Sequence, residues 1–288
     1  MKIFTIIVTY NAMRWIEHCL QCLKKSTVSV IPIVVDNGSV DGTQDYVPTH
    51  FPEAVWMPQK ENLGFGQGNN LGMRYALEHE ADYVLLLNQD AYLQATAIEE
   101  MLKIADGRNL VSPLHLNGDG SKLDFMFKAS LRRAENSLLD DLLLRQSVES
   151  VYVVGEVCAA CWFMPVNMLE EIGGFDPLFF QYGEDNNYYT RLVYHQRKVL
   201  VAPRARVFHD RGRHGNVQLY NKKEVHLQTL VCACNINLTF SQRCYKWAKI
   251  GVHAPMRFLI ECIKLLPYFG RIANSRKMAK QKGACWLR

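Results

Sequence analysis

The chain has 288 residues, 49% of them hydrophobic, with 33 Lys+Arg against 28 Asp+Glu for a net charge of +5. That composition supports one large domain, or one domain with a small appendage, and excludes a disordered chain. No apolar run approaches the ~20 residues that a membrane-spanning helix needs.

Lys2–Thr9 opens the chain as a buried strand; the apolar run is too short for a signal peptide and no small-residue cleavage site follows it. Met13–Lys25 then places Ile16, Cys19, Leu20 and Leu23 at helical spacing, with Asn11 as N-cap. Val30–Asp36 is a second apolar strand, ended by Asn37-Gly38-Ser39, and Ala54–Met57 a short third. A helix opens near Gln67 or Gly68 and runs to Glu78, Tyr83–Leu87 is a fourth strand, and Thr96–Ile104 is the next crossover helix. Buried strands alternating with helices predict an α/β fold, a Rossmann-like and mostly parallel sheet with helices on both faces.

Farther on, Asn117-Gly118-Asp119-Gly120 predicts a hairpin within Leu114–Phe127. Ala134–Gln146 reads as helix, Val151–Pro165 as strand, and Asn167–Ile172 as a short helix closed by Gly173-Gly174. From Asn221 the pattern is helical and amphipathic, broken near Pro255 and Pro267. The expected division is therefore a catalytic body at 1–220 and a basic helical C-terminal extension at 221–288.

Charge is unevenly spread: residues 241–288 hold eleven Lys/Arg and one acid, Glu261, whereas residues 1–240 carry 22 basic and 27 acidic groups. The basic tail interleaves Trp247, Leu259, Ile263 and Tyr268, which suits peripheral contact with an anionic membrane surface and equally suits a packed appendage with its charges in water. Nucleic acid is not an expected partner, because no nucleic-acid module accompanies that charge and the body is acidic. The nine cysteines follow no disulfide framework, so the expected compartment is reducing and cytoplasmic. Cys19/Cys22 and Cys158/Cys161 have zinc-compatible spacing, but the apolar neighbours of the first pair predict core thiols.

In a parallel sheet ligands bind beyond the carboxyl ends of the strands. Three polar clusters converge there: Thr9-Tyr10-Asn11, Asp36-Asn37-Gly38-Ser39 and Asn88-Gln89-Asp90. Asp36 followed by Gly38 and Ser39 suits reading a base or ribose, and equally suits an ordinary strand-to-helix turn. Asp90 suits a hard divalent cation, Mg²⁺ or Mn²⁺, whose shell diphosphate oxygens complete; the plainer role is capping the helix near Thr96. The Asn62–Gly72 segment is rich in Gly and Asn, but its glycines have the wrong spacing and follow the third strand rather than the first, which argues against nicotinamide chemistry.

Val-Thr-Tyr-Asn (8–11), Val-Val-Asp-Asn-Gly-Ser-Val-Asp-Gly-Thr (34–43), Asn-Leu-Gly-Phe-Gly-Gln-Gly-Asn-Asn-Leu-Gly (62–72) and Leu-Leu-Leu-Asn-Gln-Asp (85–90) together resemble the family 2 glycosyltransferases. The likeness is closest to bacterial rhamnosyltransferase-like members with a GT-A fold. It continues through Gly173-Gly-Phe-Asp-Pro177 and Tyr182-Gly-Glu-Asp185 to Val207-Phe-His209, covering about residues 1–215.

The resemblance implies an inverting transfer of a sugar from a UDP- or dTDP-sugar to an acceptor hydroxyl, in surface polysaccharide or glycan assembly, with a glycan or lipid-linked acceptor. It implies that Thr9, Tyr10, Asn11 and Asp36 hold the nucleoside, Asp36 reading the base, with Gly38, Ser39, Asn62, Gly64, Asn70, Asn88 and Gln89 completing the nucleotide-sugar set. Asp90 stands at the metal-binding end of its motif, and His209 at a position that often completes the metal or diphosphate site. Gly-Glu-Asp at 183–185 resembles the acceptor-side acidic motif: Asp185 is the candidate base and Glu184 the alternative, while a plainer role for both is to favour the N-terminus of the Asn186–Tyr194 helix.

The chain departs from the family pattern at Asn187, where a second acid is common, and at Gln89, where many relatives carry Pro or Asp. Asp210, Arg211, Arg213 and His214 follow His209, and the arginines there suit either a diphosphate contact or a solvated loop. Two other classes compete: a sugar nucleotidyltransferase, which would want a Gly-rich basic loop after the first strand, and a non-catalytic glycan- or membrane-binding relative.

Overall fold

A computed structural model describes residues 1–131, 136–144, 147–211, 217–253 and 255–287. Arg213, His214 and the ends of the expected Ala134–Gln146 helix lie outside the described residues. The strands are β1 (Ile3–Thr9), β2 (Ile31–Asp36), β3 (Val55–Pro58), β4 (Tyr83–Leu87), β5 (Ala91–Leu93), β6 (Leu110–Asn117), β7 (Tyr152–Val154), β8 (Cys161–Pro165) and β9 (Val199–His209). The helices are α1 (Ile16–Lys24), α2 (Thr43–His50), α3 (Gly64–Glu78), α4 (Ala97–Ile104), α5 (Phe125–Leu131), α6 (Leu138–Leu144), α7 (Val166–Ile172), α8 (Glu184–Tyr194), α9 (Val217–Cys234), α10 (Phe240–His253), α11 (Pro255–Leu265) and α12 (Phe269–Lys280).

The strands form one sheet in the order β3-β2-β1-β4-β8-β6-β9-β5, with β7 on β9. β3, β2, β1 and β4 are parallel neighbours; β8 runs against them, and β6 and β9 return to their direction. Only β8 and the short β5 and β7 oppose the rest, so the sheet is mostly parallel. Alternation along β1 decides which helix covers which face. Phe4 and Ile6 join the core under α3, whereas Ile3 and Ile7 join the core under α1 and α4. Cys19, Cys22 and Cys161 lie in that second core as buried thiols.

α3 begins at Gly64, three or four residues before the expected start, because the Asn62 side chain accepts the Gly64 N–H at 2.8 Å. A Cβ on Gly72 would stand 2.5 Å from the Ile6 side chain, and one on Gly68 would stand 2.8 Å from Val8. Glycine at these positions lets the helix lie directly on β1.

Three expected elements need correction: α1 starts at Ile16 with Trp15 at its cap position rather than at Met13 with Asn11 as cap, because Asn11 is engaged in the Ser39–Val40 turn. The hairpin at 114–127 keeps its turn, but its second arm shrinks to a single Leu116–Leu123 bridge, because Asp124 instead accepts the Phe127 N–H at 3.0 Å and starts α5. The strand at 151–165 splits into β7 and β8. The chain also adds α2 and β5, both too short for a periodicity to register.

The C-terminal helices return to the body. Phe179, Leu230, Ala233, Cys234, Leu265 and Ile272 form a cluster of their own, and Leu287 reaches the principal core. Arg191 of α8 lies between the Tyr188 and Trp286 rings, 4.5 and 4.7 Å from their centroids. Among the described residues, no helix is long and apolar enough to cross a membrane.

Candidate active site

Thr9 ends β1 and Asp36 ends β2 directly opposite in the parallel register. The Asp36 carboxylate is fully buried and accepts three hydrogen bonds: Thr9 Oγ1 at 2.8 Å, Ser39 Oγ at 2.5 Å and the Ser39 N–H at 2.9 Å. It thereby ties the first two strand ends into one floor. Asn11, held at φ +51°, donates its N–H to Ser39 Oγ at 2.8 Å and accepts the Val40 N–H on its side chain at 2.9 Å. Gly38 turns the chain at φ +73° against the backbone of Gln59 and Glu61.

Gln89 joins this floor to the end of β4. Its Oε1 accepts the Tyr10 N–H at 2.8 Å and its Nε2 donates to the Tyr10 carbonyl at 3.4 Å. The next residue is Asp90, and β5 follows at once, pairing antiparallel with β9 so that Ala91 faces His209. His209 Nε2 is 3.2 Å from Asp90 Oδ1, and the Asp210 N–H donates to the Asp90 carbonyl at 2.8 Å. β5 is thus the element that delivers the metal-motif carboxylate to a histidine far along the chain.

Sequence reasoning missed Asp124. Its carboxylate is buried, 3.8 Å from His209 Nδ1, and Arg211 Nε donates to it at 2.8 Å. Burial works against the Asp124 anion, yet Arg211 outweighs it and holds this carboxyl below its ordinary range. A lone aspartate after Leu123 carries no motif, so the sequence offered no signal for it. Behind this pair lie His115, driven by burial down to about 3, and Cys158, driven up to about 12, so both are uncharged.

Across the edge, Tyr182 and Gly183 adopt left-handed backbone, φ +69° and +84°, and turn the chain into α8. A tyrosine in that region is strained, and here it aims the first turn of α8, which begins with Glu184 and Asp185. Both carboxyls are raised above the usual range, first by burial. Their surroundings then push them apart. Asp185 accepts the N–H groups of Asn186 and Ala159 and feels Arg211, all of which favour its anion. Glu184 has a buried Oε2 without a hydrogen-bond partner and faces the charge of Asp185, so it keeps its proton more firmly. Asp185 is the group placed to be ionised, Glu184 the group placed to stay neutral.

The two sides meet at the start of α3. A Cβ on Gly66 would lie 3.7 Å from the Glu184 side chain and one on Gly68 3.6 Å from Asn37, while Asn37 Nδ2 donates to the Gly64 carbonyl at 3.2 Å. Asn70 spends its amide elsewhere, exchanging hydrogen bonds of 2.7 and 2.8 Å with the Phe175 backbone, and so positions the 173–177 turn. Asp36 and Asp90 are linked through Tyr10 and Gln89, and Asp90 reaches Asp185 through His209, Asp124 and Arg211.

Buried polar atoms without partners gather on this edge: Asn37 Oδ1, Asn88 Oδ1, Glu184 Oε2, Asn187 Oδ1 and His209 Nδ1. Burying a polar group unpaired is costly, and six further buried polar atoms, among them Thr5 Oγ1, Trp15 Nε1 and Gln94 Oε1, also lack partners among the described residues. Among the described residues no group of three or more His, Cys, Asp or Glu is placed to hold a metal ion. A closed structural site is therefore absent there, whereas the Asp90–His209 pair fits a hard cation that takes most of its oxygens from a bound diphosphate.

The fold is that of a GT-A glycosyltransferase. The chain belongs to glycosyl transferase family 2, whose model matches residues 5–173. An N-acetylglucosaminyl-diphospho-decaprenol L-rhamnosyltransferase of Mycobacterium tuberculosis is 24% identical over 231 residues, covering 72% of this chain and 75% of that protein. A structure of GalNAc-T7 with UDP, GalNAc and Mn²⁺ superposes at TM-score 0.64 and 13% identity, covering 99% of this chain and 56% of the other. S. aureus TarS 1-349 in complex with UDP-GlcNAc superposes at 0.55 and 16% identity, covering 96% and 79%; this chain spans 42% of the longer TarS chain. These structural likenesses concern the fold. Family membership sets aside the nucleotidyltransferase alternative.

Proposed function

We propose that the protein transfers a hexosyl or deoxyhexosyl unit from a UDP- or dTDP-sugar to an acceptor hydroxyl with inversion, in the assembly of a surface glycan. The observation that carries this reading is the Asp90–His209 pair at 3.2 Å, joined through Asp124 and Arg211 to the neighbourhood of Asp185, whose carboxylate is supported by two N–H groups. Inversion needs those two functions on opposite sides of the sugar.

Asp185 takes the proton of the acceptor hydroxyl as its oxygen forms the new bond to the anomeric carbon. The bond from that carbon to the diphosphate breaks, and its electron pair leaves with the nucleotide. Asp90 and His209 would hold Mg²⁺ or Mn²⁺, which supplies positive charge for the departing diphosphate. Tyr10, Asn11 and the Asp36–Ser39 loop form the nucleoside side; Asp36 shapes that loop from beneath. Glu184, neutral beside the base, is a donor rather than an acceptor of protons in this arrangement.

The Mycobacterium relative, named for a diphospho-decaprenol, supports a lipid-linked acceptor. With it goes work at the cytoplasmic side of a membrane and peripheral contact through residues 241–288. Titration of the protein with UDP, dTDP and GDP in Mn²⁺ or Mg²⁺, read as a melting shift, tests the donor site. A panel of nucleotide sugars then identifies the donor by metal-dependent hydrolysis. No shift with any nucleoside diphosphate would overturn the reading.

A further inference from the structure

α11 carries apolar residues on its outward face as well as on its inward one. Its inward positions, Phe258, Glu261, Cys262 and Leu265, follow helical spacing, and Leu265 is buried against Phe179, Leu230 and Ile272. Glu261, the sole acid of residues 241–288, points inward as well: it accepts from His226 at 2.6 Å and from Lys264 at 2.8 Å. Burial opposes the Glu261 anion, but these two partners outweigh it and keep the carboxyl below its usual range.

The outward positions are Met256, Leu259, Ile260 and Ile263, continued by Leu266, and all five are between 47% and 71% exposed. They recur at three- and four-residue intervals and make one apolar stripe facing water. Val252 at the end of α10 and Phe269 at the start of α12 are exposed at either end of it. Exposed cations of the same helices are Lys246 and Lys249 on α10, which packs on α11, Lys264 on α11, which pairs with Glu261, and Arg271, Lys277 and Lys280 on α12. Lys249 and Arg271 lie over the exposed rings of Tyr245 and Tyr268, at 4.8 and 5.3 Å.

We propose that the outward face of α11 is a docking surface for an anionic lipid bilayer, with Met256, Leu259, Ile260, Ile263 and Leu266 entering the interface and exposed lysines and Arg271 of the same helices meeting phosphate headgroups. Charge selects this occupant. A second copy seated on the same face would bring two strongly basic tails together, which like-charge repulsion opposes. An anionic bilayer instead satisfies the stripe and the cations at once. The surface deepens the reading of a lipid-linked acceptor and rests on it for its purpose, because docking there would bring the sugar-transfer edge to a membrane-borne substrate.

The test uses the full chain and sedimentable vesicles of phosphatidylcholine alone or with about 30% phosphatidylglycerol, at low and at high salt. The paired variant is Leu259→Glu with Ile263→Glu, checked for an unchanged melting temperature. The native chain is expected to sediment with the anionic vesicles at low salt. It should sediment poorly with neutral ones, and lose about tenfold in binding both in the variant and at high salt. Equal binding to neutral vesicles, no binding to either, or full retention by the variant would overturn the proposal. So would a concentration-dependent dimer that the variant abolishes without any vesicle binding. UDP binding with Mn²⁺ is measured on both proteins: its absence would remove the donor chemistry and leave the docking surface standing, and the reverse result would do the opposite.

Discussion

His209 Nε2 lies 3.2 Å from Asp90 Oδ1, and the contact exists because Ala91 pairs with His209 across β5 and β9. One short strand thus brings the end of β4 to the end of the long return strand. Asp90→Ala is expected to lower metal-dependent transfer by about 10²- to 10³-fold, the range for losing one preorganised charge-stabilising group. His209→Ala should chiefly raise the Mn²⁺ concentration needed for half-maximal activity. Metal titrations of the two variants check both statements, and unchanged activity in Asp90→Ala would remove it from the metal site.

The acid pair on α8 predicts a pH profile. In the proposed reaction Asp185 must be ionised to accept the acceptor's proton, and burial raises its pKa above the ordinary carboxylate value. The acid limb of kcat/KM is therefore expected above about pH 4, the unperturbed position for aspartate. Asp185→Asn should abolish that limb together with most of the transfer while sparing UDP binding. Glu184→Gln should keep activity within several-fold, since the native side chain is already neutral; a loss equal to that of Asp185→Asn would exchange the two roles.

Stability should respond at Glu184 in the opposite sense from most acids. Its folded pKa lies above the unfolded one, chiefly through burial. The unfolded chain therefore releases this proton first as pH rises, and stability falls through the window between the two values. Glu184→Gln removes the penalty. The variant should match the native protein near pH 4 and melt higher than it at alkaline pH, as thermal unfolding across that range would reveal.

Gly64 carries a steric prediction. It sits at φ +80°, and a Cβ there would stand 2.0 Å from the Phe180 carbonyl oxygen. Neither the backbone angle nor the space admits a side chain, so Gly64→Ala must displace the 176–183 segment that leads into Glu184 and Asp185. The expected cost is about 1–3 kcal/mol in chemical denaturation, with a fall in kcat larger than the fall in UDP affinity.

Most of the parallel half was legible in the sequence. The strands at 2–9, 30–36 and 83–87 are continuous apolar runs, and such runs declare themselves. β5 is three residues long and Asp124 follows a turn, so neither has a period or a motif to announce it. What makes them matter is a tertiary pairing, Ala91 with His209 and Asp124 with Arg211, that no local pattern encodes. Asn70 illustrates the converse: a residue inside a recognisable motif whose amide holds the Phe175 backbone.

Arg191 is 1% exposed and donates to the carbonyls of Ile172 at 2.8 Å and Gly174 at 2.5 Å. Arg191→Ala would remove this donor from the Gly174 carbonyl and leave the Ile172 carbonyl with only the Cys285 thiol, at a cost of about 3 kcal/mol. Trp286→Ala should cost less and lower the melting temperature without altering the metal dependence.

The same stitch has a consequence for biogenesis. Trp286 closes over Arg191, Leu287 enters the principal core, and the Leu287 carbonyl accepts Arg74 Nε at 3.1 Å. The helix bearing the acid pair therefore lacks its last wall until residue 287 has cleared the ribosome. Nascent chains halted before that point should remain protease-sensitive around α8, even when β1 to β4 have already paired.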